Sequence, residues 1–153
     1  MRRDDKEIKN KKEIEYIIKS AKVCRVAFCD GNRPYILPFN FGYKNKCFYI
    51  HCAPEGRKLD IIRKNSNVCV EIDTAHELKE AGDACSHSFM YKSVIAEGKA
   101  VIEDSYKDKI KALELLMKQM TGKDFKKFSQ GKVESIKIIK IKATKISGKK
   151  SGY

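Results

Sequence analysis

The chain has 153 residues, of which 42% are hydrophobic and 35% charged, and its formal net charge is +13. That length and balance suit one soluble domain able to bury a core without staples, and exclude fibrous or disordered classes. No apolar run approaches the ~20 residues that span a bilayer, and the polar start MRRDDKEIKNKKEIE has no signal-peptide core, so a cytoplasmic protein with no membrane contact is expected.

The first helix is expected over residues 11 to 21, where Ile14, Ile17, Ile18 and Ala21 recur at helical spacing behind Asn10 as N-cap. VCRVAFC (23 to 29) alternates as a strand, and Asp30-Gly31 marks a hairpin into a second strand over residues 34 to 43. A turn at Lys44-Asn45-Lys46 leads into CFYIHC, and a Pro/Gly corner opens a helix over residues 55 to 64. NVCVEID (67 to 73) alternates again, with Val68, Val70 and Ile72 on one face. Residues 75 to 88 show no period and read as a surface loop. Met90 to Glu103 reads as one long strand. Ser105 and Asp108 then open a helix with a stripe of Ile110, Leu113, Met117 and Met120, and Gly122 ends it. The last strand, SIKIIKIKATKISG, slips phase at Ile138-Ile139, which means a bulge or burial against two different surfaces. The sum is a single α+β domain over residues 1 to 153, a barrel-like sheet of about six mostly antiparallel strands with three helices outside.

The charge invites a nucleic-acid partner, but 27 of the 33 cations are lysine and they are spread over both termini and the helical faces. No helix-turn-helix, finger or RNA-recognition signature accompanies them, so no nucleic-acid partner is expected. The six cysteines sit mostly inside strand patterns and read as free thiols. Cys47, His51, Cys52, Cys85 and His87 form no C-x-x-C pair, and adjacent strand residues face opposite ways, so no metal site is expected.

Two features could carry chemistry. In the strand from residue 34, the backbone donors of residues 34, 36 and 38 share one edge, and two of the three residues are prolines that have none. That edge is either a proline-guarded margin or an opening against which a flat ring could lie near Ile36. In HCAPEGRKLD, Gly56, Arg57 and Lys58 stand at a helix start, where free N–H groups and cations suit a single phosphate. Neither the Walker nor the dinucleotide spacing is present. His51 shares its strand face with Cys47 and Tyr49, while Phe48, Ile50 and Cys52 face a core; at a strand end it is either a satisfied structural histidine or a proton donor.

The segments RPYILPFNFGY, YIHCAPEGRKLDIIRKN, YKSVIAEGKA and IKATKISGKKSG resemble the pyridoxamine 5′-phosphate oxidase-like FMN-binding split barrels. Within them the chain is similar to the flavin-nucleotide-binding and nitroimidazole resistance (nitroimidazole reductase) proteins. The resemblance implies that Gly56, Arg57 and Lys58 hold the FMN phosphate. It implies that Ile36, Leu37, Pro38 and Phe39 line the isoalloxazine through their backbone, that Ile50 and His51 border it, and that Lys92 and Ser93 supply a basic and polar pair. It further implies a homodimer with the flavin at the interface. The sequence around CSHSFMYKS departs from the Trp- or Arg-containing versions of the family, and no C-terminal extension for a vitamin substrate follows.

The expected function is therefore an FMN-dependent oxidoreductase that reduces small organic electron acceptors such as nitroimidazoles, with His51 as catalytic proton donor and NAD(P)H as a transient electron source. The alternatives are a non-enzymatic flavin carrier or sensor on the same fold, and a basic nucleic-acid-binding module.

Overall fold

The computed structural model describes residues 3–153; Met1 and Arg2 of the polar start lie outside them. Helix α1 (Lys11–Ser20) begins where Asn10 accepts a hydrogen bond from the Lys12 amide, as the cap pattern requires. Strands β1 (Val23–Asp30) and β2 (Arg33–Asn40) pair across the Asp30-Gly31 hairpin. Strands β3 (Gly42–Lys44) and β4 (Cys47–Cys52) pair across a turn whose Asn45 and Lys46 have positive φ. Then follow α2 (Arg57–Lys64), β5 (Asn67–Lys79), β6 (Ser88–Glu103), α3 (Tyr106–Thr121), α4 (Gln130–Glu134) and β7 (Lys137–Ser151).

All strands join one antiparallel sheet in the order β2-β1-β5-β6-β7-β4-β3, which leaves β2 and β3 as margins. The α+β class and split-barrel architecture are as expected, but the sheet has seven strands rather than six. The difference lies at Phe41, where the expected strand over residues 34 to 43 divides: β2 pairs with β1 at one margin and β3 with β4 at the other. Phe41 is fully buried, 5.7 Å from the ring of Phe48. Gly42 then passes so close under α3 that a Cβ there would stand 2.5 Å from the Leu116 amide nitrogen. Burying one ring and a bare backbone at this point turns the chain from one margin of the sheet to the other.

The stretch expected as a loop over residues 75 to 88 is strand as far as Lys79 and again at Ser88, and a loop only between them. β5 runs on to Lys79, paired with the start of β6, and a register shift between Thr74 and Glu77 carries Ala75 at φ +56°. Both faces are exposed there, so no alternation betrays the strand. In α3 the buried row is Lys109, Ala112, Leu116 and Gln119, and the expected stripe of Ile110, Leu113, Met117 and Met120 is only half-buried. Two polar residues enter that row because each finds a partner. Lys109 bonds Asp104 at 2.8 Å, and Gln119 donates to the carbonyls of Ile18, Lys19 and Ala21. In β7 the bulge falls at Thr144, between Ala143 opposite Gly98 and Lys145 opposite Glu97, and not at the isoleucine pair. Ile138 and Ile139 are both buried, Ile139 in the main core and Ile138 outside it, which is the two-surface alternative.

The main core gathers Val26 and Phe28 of β1, Phe48 and Ile50 of β4, Val70 and Ile72 of β5, Ile139 and Ile141 of β7, and the inward residues of α1 and α2. All six cysteines are free thiols. No helix among the described residues is long and apolar enough to cross a membrane.

Candidate functional site

Strand β4 delivers the chain to the corner. Its alternation buries Phe48, Ile50 and Cys52 and turns Cys47, Tyr49 and His51 outward, so His51 is exposed at the strand end beside Ile138 of β7. Ile50 is 1% exposed with its side chain in the core, which leaves only its backbone to border a ligand. Beyond Cys52 the chain is exposed as far as Arg57, and Gly56 holds φ +123° with open space where a Cβ would stand. That conformation is one L side chains rarely adopt, and it sets Gly56 as the N-cap of α2.

The amides of Leu59 and Asp60 return to the Gly56 carbonyl, so the first-turn N–H groups left over are those of Arg57 and Lys58. Half-buried Lys58 makes no ion pair or side-chain hydrogen bond among the described residues, and lies near enough to Cys52 for its charge to oppose the upward push that burial gives that thiol. Arg57 is engaged: Nε and Nη2 donate to one carboxylate oxygen of Asp30 at 3.2 and 2.9 Å, and the guanidinium lies 4.4 Å from the Tyr35 ring centroid. These contacts tie the corner to the β1–β2 hairpin.

The hairpin presents the sheet margin. Pro34, Ile36 and Pro38 are exposed, Ile36 by 59%, while Tyr35, Leu37 and Phe39 are half-buried against the core. β2 has β1 on one side and, among the described residues, no strand on the other. A side chain at Leu37 or Phe39 therefore supports the margin from beneath, and what the margin offers outward is backbone and the face of Ile36.

Lys92 and Ser93 stand elsewhere. Ser93 is opposite Asp73 on β5, and Arg25 is opposite Glu71, so Ser93 lies level with the start of β1 while Arg57 is bound at its end, Asp30. Seven residues of strand separate those levels, roughly 23 Å, more than a mononucleotide spans. Lys92 is 3.6 Å from Glu13 and 4.9 Å from the Tyr153 ring centroid. Arg57 is thus bound at the hairpin end of β1, while Ser93 lies level with its other end, and the margin of β2 runs the length between them, with Phe39 opposite Cys24.

Around Ser93 the structure forms a shallow open groove of about 410 Å³ that the sequence did not announce, lined by Arg25, Glu71, Asp73, His76, Phe89, Tyr91 and Ser93. Arg25 bridges both carboxylates, and His76 Nε2 is 2.8 Å from Asp73. The alternation of NVCVEID already put Glu71 and Asp73 on one face. His76 had no signal, because the bulge that returns it to that face lies in the unperiodic stretch. Among the described residues no group of three His, Cys, Asp or Glu side chains is placed to hold a metal ion.

A family model described as pyridoxamine 5′-phosphate oxidase matches residues 10–150. A structure from Bacteroides thetaiotaomicron, described as a candidate 5-nitroimidazole antibiotic resistance protein, is 33% identical, with TM-score 0.83 over 94% of this chain and 85% of its own. A flavocytochrome from Azotobacter vinelandii shares the fold at TM-score 0.84 and 15% identity, over 100% of this chain and 72% of its own. An FAD and heme binding protein from Mycobacterium smegmatis does so at 0.84 and 16%, over 97% and 74%. Comparison with curated proteins gives no match.

Proposed function

The chain belongs to the pyridoxamine 5′-phosphate oxidase family, and we propose that it is an FMN-binding oxidoreductase that reduces small organic electron acceptors, with nitroimidazoles as the acceptor class. What supports this acceptor class is the 33% identity to the candidate 5-nitroimidazole resistance protein. The observation that carries the cofactor is the start of α2: two uncommitted amides, an unpaired Lys58 and open space over Gly56. Those groups fit one phosphate, and a single phosphate with no dinucleotide motif favours FMN.

Bound there, the flavin supplies the redox chemistry. The residues of the chain do the rest. The α2 amides and Lys58 hold the phosphate, and Arg57 adds its remaining N–H donors. The margin of β2 offers backbone groups near Ile36 to a flat ring, with Pro34 and Pro38 keeping another strand from taking that place. To His51, exposed at the end of β4, we assign the gift of a proton to the acceptor.

The separation of Ser93 from Arg57 supports a homodimer. In this reading a flavin anchored at one copy's corner meets Lys92 and Ser93 of a second copy. NAD(P)H would serve as a transient donor at the open ring face.

The test is the Arg57→Ala/Lys58→Ala double variant. It is expected to purify without the visible flavin spectrum of the parent while keeping its far-UV circular dichroism. Undiminished flavin in that variant would remove the phosphate assignment, and releasing and sizing the parent's flavin separates FMN from FAD.

A further inference from the structure

We propose that the half-enclosed pocket between α1, the β3–β4 turn and the bulge of β7 binds a small apolar monocarboxylate, one aromatic ring or a short alkyl chain with a single anionic head. None of the residues given to the flavin lines it, so the inference stands apart from the flavin reading.

The pocket is what the turn, the bulge and the helix leave between them. Thr144 is the extra residue of β7, and its hydroxyl donates to the Glu97 carbonyl. Beside it the turn carries Asn45 and Lys46 in the left-handed region, and the Lys46 carbonyl accepts from the Ala143 amide at 2.9 Å. α1 meets β7 further along, where Ile14 packs so close that a Cβ on Gly148 would stand 2.9 Å from its Cγ1. The remaining space is about 180 Å³, with Ile14, Ala143 and Ile146 on its core side. Ile14 and Ile146 are only half-buried, so apolar surface continuous with the core is left for a ligand to cover.

Charge decides the head group and volume the body. Lys11 and Lys46 line the pocket, are exposed, and make no ion pair or side-chain hydrogen bond among the described residues. The carboxylate in the lining is already engaged: Glu15 accepts from the Tyr43 hydroxyl at 2.7 Å and lies 3.5 Å from the Lys19 ammonium. Two unmatched ammonium groups beside apolar side chains suit an anion with an apolar body, the lysine stems adding to the wall while their heads reach the carboxylate. An apolar cavity of about 150 Å³ holds one benzene ring. A benzoate-sized body therefore fits here, and a three-ring isoalloxazine does not.

The experiment titrates benzoate, neutral benzamide and benzylamine by calorimetry into the protein with FMN in excess. Benzoate is expected to bind about tenfold more tightly than benzamide, two partly exposed charge contacts together, and benzylamine more weakly than either. In Lys11→Gln/Lys46→Gly, where glycine suits the left-handed backbone at residue 46, the preference for benzoate over benzamide should vanish while benzamide affinity is unchanged. Equal affinity for benzoate and benzamide in the parent, or an undiminished preference in the variant, overturns the inference. The place of binding is read on the parent itself, with isoleucine methyl groups labelled for NMR: benzoate should shift Ile14 and Ile146 and leave Ile36 in place. Movement of Ile36 in their stead, or displacement of benzoate by FMN, would put the ligand at the flavin site and overturn the inference. A protein that takes up no FMN yet shifts Ile14 and Ile146 keeps this pocket and removes only the flavin reading.

Discussion

Arg57 and Asp30 face each other across the gap between the α2 corner and the β1–β2 hairpin, joined through two guanidinium nitrogens and one carboxylate oxygen. Both side chains are more than a third exposed, so the pair is worth about 0–1 kcal/mol and a phosphate dianion can compete with it. The contact holds the guanidinium at the mouth of the proposed phosphate site before any ligand arrives.

Removing the competitor should therefore help the cofactor. Asp30→Asn is expected to tighten FMN binding by up to about fivefold, read by fluorescence titration of flavin-free protein. Weaker binding in this variant would mean that Asp30 positions Arg57 more than it competes for it.

His51 is exposed, and its neighbours Ile50 and Cys52 carry the packing of the strand end. His51→Ala should keep its flavin and its thermal midpoint, yet lose about a hundredfold or more in turnover of a nitroimidazole under anaerobic conditions. Intact turnover with flavin bound would leave the histidine without a catalytic role.

Gln119 is the buried tie between α3 and the end of α1. Its Nε2 reaches the carbonyls of Ile18, Lys19 and Ala21 at 2.8, 3.0 and 2.8 Å. Gln119→Ala leaves those helix-end carbonyls without that donor and should cost about 1–3 kcal/mol in urea denaturation. Gln119→Glu should cost more, since an ionised carboxylate would face three acceptors. A Glu variant as stable as the parent would contradict this bonding.

Asp104 supplies an acid-side test. Hydrogen bonds from Lys109 and Lys137 hold its carboxyl down at about 2, against an ordinary 3.8. A depressed pKa in the folded state means that its stabilisation is complete above the ordinary value, fades as pH falls, and is gone below about 2. Asp104→Asn should thus melt below the parent at neutral pH and converge with it near pH 2. A gap that stays constant across that range would show that the ion pairs contribute nothing.

The local periods of the chain were enough for α1, β1, β4, the core face of β5 and the corner that opens α2. Each is set by alternation or capping within a few residues: Asn10 before α1, Phe48, Ile50 and Cys52 on one face, Gly56 before Arg57 and Lys58. Family likeness in the HCAPEGRKLD run added the cofactor expectation that spacing alone could not supply. Long-range packing decided the rest. Phe41 and Gly42 divide a strand because one ring is buried and one backbone is pressed under α3. Lys109 and Gln119 enter the buried row of α3 because distant carbonyls and a carboxylate satisfy them. The grouping of Arg25, Glu71, Asp73 and His76 needs three strands in register and a bulge at Ala75, and no local pattern encodes a pairing between residues so far apart in the chain.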